Sequence, residues 1–334
     1  MQVYSGALYF RYTGAMRGRL RLFALSLALG ACATGRQAHE RLVEATPYAT
    51  APLPPRAKIF LVAGGIEVAN FAAEVVAQRR LWLARGYAPD EIACYWAHPF
   101  PAALRADRAQ YQALADELRP CYRASAELLR AHLLQASAAG LPFLYLYVTS
   151  HGNVDIMPEG VPEDRLLPAE QALFDQYVIQ LGGGIGAGVD PGTLALAIRR
   201  GADPAGLVFS PRLLRDVLRA FPADTPKIVV LQACHSGGFL DEARPERRAE
   251  TIASVPRLTA IAAARFDRTS FGCDSGAEMT YFGEVYTRLL ATRLVSDPTA
   301  IDWGALYRAL FADIARIERE VDVRPSLPVL LTTP

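Results

Sequence analysis

The sequence predicts a three-layer α/β/α sandwich built on a mainly parallel sheet, and three observations carry that expectation. Short apolar runs of strand length recur along the chain, each apolar on both faces, as strands buried in a parallel sheet must be. Segments with apolar spacing near 3.6 lie between them, the alternation of a doubly wound fold. The chain has 334 residues and is 51% apolar, enough for a well-formed core.

In chain order the strand candidates are Ile59 to Ala63, Ile92 to Trp96, Phe143 to Thr149, Ile228 to Ala233 and Leu258 to Ala263. The helical segments are Ala69 to Arg85, Ala103 to Ala136, Pro211 to Phe221 and Met279 to Arg293, with a last helix from Trp303 to about Arg319. A short run, Val329 to Leu331, closes the domain, which spans residues 58–334. Residues 153–207 form a long insertion between two core strands, the length of a lid or binding loop. Its run Gly182-Gly183-Gly184-Ile185-Gly186-Ala187-Gly188 has neither the lysine nor the hydroxyl of a P-loop, so a flexible, cleavable loop is the better reading than a nucleotide cradle. Glu159, Glu163 and Asp164 read as a solvated loop face.

The N-terminus reads differently. Arg17, Arg19 and Arg21 precede the apolar run Leu22 to Ala31, a positive region followed by a short apolar one. That run is too short to cross about 30 Å of hydrocarbon. Leu29-Gly30-Ala31-Cys32 resembles the bacterial lipobox, which implies a lipoprotein signal peptide over 1–31 and acylation of Cys32. An ordinary signal peptide cut near Ala31 or Ala33 is the alternative. Either one exports the protein, and Ala33 after the cysteine implies the outer membrane, facing the periplasm. Residues 32–57 carry Pro47, Pro52, Pro54 and Pro55, the composition of a tether.

Charge excludes one class of partner. With 35 basic and 34 acidic residues the formal net charge is +1, so there is no footprint for a nucleic-acid backbone. Beyond Cys32 the cysteines are Cys94, Cys121, Cys234 and Cys273, spaced too widely for a zinc ribbon or a CxxC pair, which disfavours a metal site. Cys94 and Cys121 are candidates for a disulfide in an oxidising compartment, which spacing alone leaves open.

Ligands in open α/β sheets bind at the carboxyl ends of strands. Two strands end there in reactive groups: Phe143 to Thr149 runs into Ser150-His151-Gly152, and Ile228 to Ala233 runs into Cys234-His235-Ser236-Gly237-Gly238. A free thiol is only a few per cent thiolate at neutral pH and needs a base, for which His151 is the candidate. The backbone N–H groups of Gly152 and Cys234 are candidates for an oxyanion hole. His235 neighbours the thiol, but consecutive residues of an extended chain point in opposite directions. His39, His98 and His132 read as surface or core histidines, and Cys273 as a packing residue.

A strand into His-Gly, followed by a strand into Ala-Cys-x-Ser-Gly, resembles the legumain family of cysteine peptidases, which shares its fold with caspases. The resemblance runs from Lys58 to about Tyr286 and includes Asn70 after the first strand. It also includes Arg268-Thr269-Ser270-Phe271-Gly272 and Thr280-Tyr281-Phe282-Gly283. It implies a cysteine endopeptidase with Cys234 as nucleophile, His151 as base, a peptide or protein substrate and no cofactor. Asn70 would orient His151 through a carbonyl, with a helix N-cap as its other reading. Gln232, Ser270 and Glu284 would form the polar floor and wall of the specificity pocket. Phe71-Ala72-Ala73 replace the pocket residues that follow the asparagine in asparagine-cleaving relatives, and no arginine marks a pocket for aspartate. A transamidase of the same fold and a catalytically silent envelope scaffold remain as alternatives.

Overall fold

The computed structural model describes residues 48–334, apart from 66–67, 99–107, 155–164, 166–176, 182–195, 202–207, 241–247, 249, 274–277 and 295–296. The signal peptide, Cys32, the glycine run and the acids Glu159, Glu163 and Asp164 lie outside the described residues.

Four central strands are buried along their whole length: β1 (Ile59–Ala63), β2 (Ile92–Trp96), β4 (Leu144–Thr149) and β7 (Lys227–Gln232). With β3 (Tyr122–Arg123), β8 (Leu258–Ala262) and β9 (Val329–Thr332) they form a seven-stranded sheet in the order β3-β2-β1-β4-β7-β8-β9. Every pairing is parallel except β8 with β9. Strand order therefore reverses between β1 and β4, and the crevice above that switch point is where such sheets bind ligands.

Helices cover both faces. On one side α1 (Asn70–Ala84), α2 (Arg108–Leu118), α5 (Tyr281–Arg293) and α6 (Trp303–Glu320) supply a core with Ile59, Leu61, Tyr145, Tyr147 and Val230. On the other, α3 (Ala126–Ser137) and α4 (Pro211–Arg219) pack on Phe60, Leu144, Leu146, Val148 and Val229. Side-chain caps start these helices where the sequence places a hydroxyl or carboxylate: Ser125, Ser210, Thr280 and Asp302 each accept a backbone N–H of the first turn.

The helical stretch expected over 103–136 is broken. Pro120-Cys121 ends α2, the chain forms the edge strand β3, and a new helix begins after Ser125. Cys121 is disulfide-bonded to Cys94 on β2, with Cα atoms 4.6 Å apart, so this edge is tied covalently to the sheet. Residues 48–57, read as tether, lie along the same edge: Ala49 donates to the Cys121 carbonyl, and Tyr122 Oη donates to the Pro52 carbonyl. The insertion also carries structure. Gly152–Asn153 (β5) pairs antiparallel with Val178–Ile179 (β6), strands too short to leave a periodic signal. No helix among the described residues is long and apolar enough to cross a membrane.

Candidate active site

Register brings the two reactive segments together. β4 and β7 are parallel neighbours with Thr149 opposite Gln232. Side chains alternate along a strand, and Val148 and Ala233 point into the α3/α4 core, so Thr149 and Gln232 face α1 and α5. His151 and Cys234 each follow two residues later, on the same period. The two chains touch beyond the strand ends: Ser150 N donates to the Gln232 carbonyl at 3.0 Å. Only glycine fits at position 152, because a Cβ there would lie 1.9 Å from the Cys234 carbonyl oxygen.

His151 is seated from both sides. Its ring packs edge-on against Phe71, the second residue of α1, with centroids 5.0 Å apart and planes at 84°. Its carbonyl accepts from Gln180 N at 2.9 Å, next to β6, so the insertion steadies the loop that carries the imidazole.

Cys234 is half-buried, and its Sγ donates to the Ser270 carbonyl at 3.6 Å. Burial pushes the thiol above its ordinary value. Hydrogen bonding with backbone groups of Ser270, Cys234 itself and Gly152 offsets part of that. The sulfur is therefore a thiol at neutral pH rather than a standing thiolate, and nucleophilic attack requires a base to remove its proton. The next residue, His235, sits at φ 59°, a left-handed conformation that histidine tolerates better than most residues. This turn sends its Nδ1 to the Phe266 carbonyl at 2.9 Å, occupying the imidazole with β8's following loop.

Gln232 and Ser270 are buried and adjacent. Gln232 Oε1 accepts from Thr149 Oγ1 at 2.8 Å, and Gln232 Nε2 lies 3.5 Å from Ser270 Oγ. Asn70 is not an N-cap: Ala69 holds that position, and Asn70 Nδ2 donates to the Gly272 carbonyl at 2.7 Å. Asn70 Oδ1 is buried without a hydrogen-bond partner, so that carbonyl does not hold His151. Asn70 Nδ2 ties the start of α1 to the loop that contains Ser270. Glu284, expected in the pocket, stands exposed on the first turn of α5. Among the described residues, Glu74 on α1 is fully buried.

No protein-family model and no curated protein sequence matches the chain. Its fold is similar to that of solved structures. A Geobacter sulfurreducens protein aligns with a TM-score of 0.45 and 12% identity, over 84% of this chain and 94% of that one. Caspase-1 from Spodoptera frugiperda aligns with a TM-score of 0.41 and 11% identity, over 86% and 94%.

Three residues of the site region escape sequence reasoning: Phe71, Thr149 and Glu74. Phe71 was legible only as a departure from a pocket motif. Glu74 follows Asn70 by four residues, one helical turn on the same face, which is the signal that would have found it. His39 lies outside the described residues; of the other two, His132 Nδ1 hydrogen-bonds Tyr95 Oη at 2.8 Å, and His98 stacks on Tyr48. Burial lowers the pKa of His98 to about 4, so it stays neutral. Cys273 packs at the margin of the α1/α5 core. Among the described residues no cluster of His, Cys, Asp and Glu is arranged to hold a metal ion.

Proposed function

We propose that the protein is a cysteine endopeptidase in which Cys234 is the nucleophile and His151 the general base. The observation that carries this reading is the paired register of β4 and β7, whose last pair, Thr149 and Gln232, lies two residues before His151 and Cys234 at the carboxyl ends of the strands. In the reaction, Cys234 Sγ bonds to the substrate carbonyl carbon while His151 takes the thiol proton. His151 then passes that proton to the departing amine as the C–N bond breaks, leaving a thioester. Water, deprotonated by His151, hydrolyses the thioester and regenerates the thiol. The N–H groups of Gly152 and Cys234, at the adjoining strand ends, serve the oxyanion.

Gln232 and Ser270 floor the pocket for the residue before the scissile bond. The protein acts outside the cytoplasm, anchored to a membrane through a lipid on Cys32. The Cys94–Cys121 disulfide supports this setting, since such bonds persist in oxidising compartments.

The test is cleavage of a peptide library by the form that starts after Cys32, beside its Cys234→Ala variant, read by mass spectrometry. The parent is expected to cleave and the variant to lose about a thousandfold or more in kcat/KM. Equal cleavage by both would overturn the assignment of Cys234, and none by the parent would overturn the peptidase reading.

A further inference from the structure

Beneath the crevice, α1 presents Asn70, Glu74 and Gln78 at intervals of four residues, all buried. Each reaches a different part of the site's support. Asn70 Nδ2 donates to Gly272 O, Glu74 meets the cap of α5, and Gln78 Nε2 donates to Thr287 Oγ1 at 2.8 Å. Glu74 is the centre of the row. Its Oε1 accepts from Thr280 N at 2.9 Å and Thr280 Oγ1 at 2.6 Å, and its Oε2 accepts from Tyr147 Oη at 2.7 Å. Gly283 is pressed so close that a Cβ would lie 2.2 Å from the carboxyl carbon.

We infer that Glu74 is a positioning residue for the site, holding the floor through Thr149 and Gln232 and the wall through Thr280. The chain of contacts is continuous. The Thr149 hydroxyl also faces the carboxyl, Thr149 holds Gln232, Gln232 meets Ser270, and the Ser270 carbonyl holds Cys234 Sγ. The proton inventory gives it a direction. Thr149 has one hydroxyl proton: given to Gln232 Oε1, as at 2.8 Å here, it leaves a lone pair for a protonated carboxyl, and turned to Glu74 it would favour the carboxylate instead. Burial outweighs the hydrogen bonds from Thr149, Thr280 and Tyr147, which favour the charged form, and so raises the pKa of Glu74 and favours the neutral acid. A glutamine offers an N–H where the neutral acid offers its O–H, so it keeps the chain, whereas alanine breaks it.

The kinetic readout rests on the peptidase reading. Glu74→Ala is expected to raise KM about tenfold on the preferred peptide while kcat falls about threefold or less, and Glu74→Gln to restore KM to within about threefold. Where Glu74→Ala fails to fold, Thr149→Val removes the linking hydroxyl at nearly constant volume and is expected to show the same split. Unchanged KM in a folded Glu74→Ala or Thr149→Val variant would overturn the inference, as would equal losses in Glu74→Gln and Glu74→Ala. If the parent cleaves no peptide, the peptidase reading falls and the inference is judged by the alkylation rate of Cys234 with iodoacetamide. A change of about fivefold or more in Glu74→Ala and Thr149→Val, absent in Glu74→Gln, supports it, and equal rates in all four proteins overturn it.

Discussion

The two faces of β4 are built to different rules. Toward α3 and α4 the strand presents Leu144, Leu146 and Val148, all buried members of the apolar core on that side. Toward α1 and α5 it presents Tyr145, Tyr147 and Thr149, each fully buried and each hydrogen-bonded to a side chain from another element. One strand thus separates a face that stabilises from a face that positions. A buried polar network adds little net stability over apolar packing, and its members are costly to leave unpaired. Its value here is geometric, because it ends at Gln232, Ser270 and the residues after them.

The difference predicts separable losses. Leu146→Ala empties space on the apolar face and should lower unfolding free energy by about 3 kcal/mol. Its kcat/KM per folded molecule should match that of the parent. Chemical denaturation alongside active-site titration checks both, and a catalytic loss in the folded variant would break the division between the faces.

Tyr147→Phe makes the complementary change. It keeps the ring, which stacks on Tyr286 with centroids 5.7 Å apart, and removes the hydroxyl that serves Glu74 Oε2. The expected cost is smaller, about 1 to 3 kcal/mol from one buried acceptor losing its donor, and it should come with a raised KM. A variant that loses stability with unchanged KM would show that this hydroxyl supports the core alone.

The same contrast explains which parts of the molecule the sequence made legible. β1 and β2 have the bounds that their apolar runs suggest, because a strand buried on both faces is written locally as a continuous apolar stretch. Ser210 with Pro211 announces α4 in the same local way. The interruption at Pro120-Cys121 was hidden by helical spacing on both sides of it, and β5 and β6 by their length of two residues. The positions of His151 and Cys234 could be read from strand ends. The role of Glu74 could not, since its partners Tyr147 and Thr280 lie 73 and 206 residues away and become neighbours only through the fold. Glu284 and Glu74 look alike as letters near the edge of a helix, and only packing decides which of them is buried.

The smallest expected effect is also the most specific to the polar face. Burial holds the pKa of Glu74 above its ordinary value of 4.5, so the folded protein binds this proton more tightly than the unfolded chain does. The stabilisation is complete below the unfolded pKa and is lost as pH rises through the folded one, because the unfolded chain releases a proton that the folded chain still holds. The urea midpoint of the parent should therefore fall, relative to that of Glu74→Gln, as pH is raised from about 5 to about 8. Other carboxyls titrate in both proteins and cancel in the difference: Glu91 is held low by its hydrogen bond from Lys58, and burial raises Glu318. Parallel profiles would mean that Glu74 ionises in the folded state as readily as in the unfolded one. In that case Thr149 would turn its proton to the carboxylate, Gln232 Oε1 would lose its donor, and the floor of the pocket would have to be held from the Ser270 side instead.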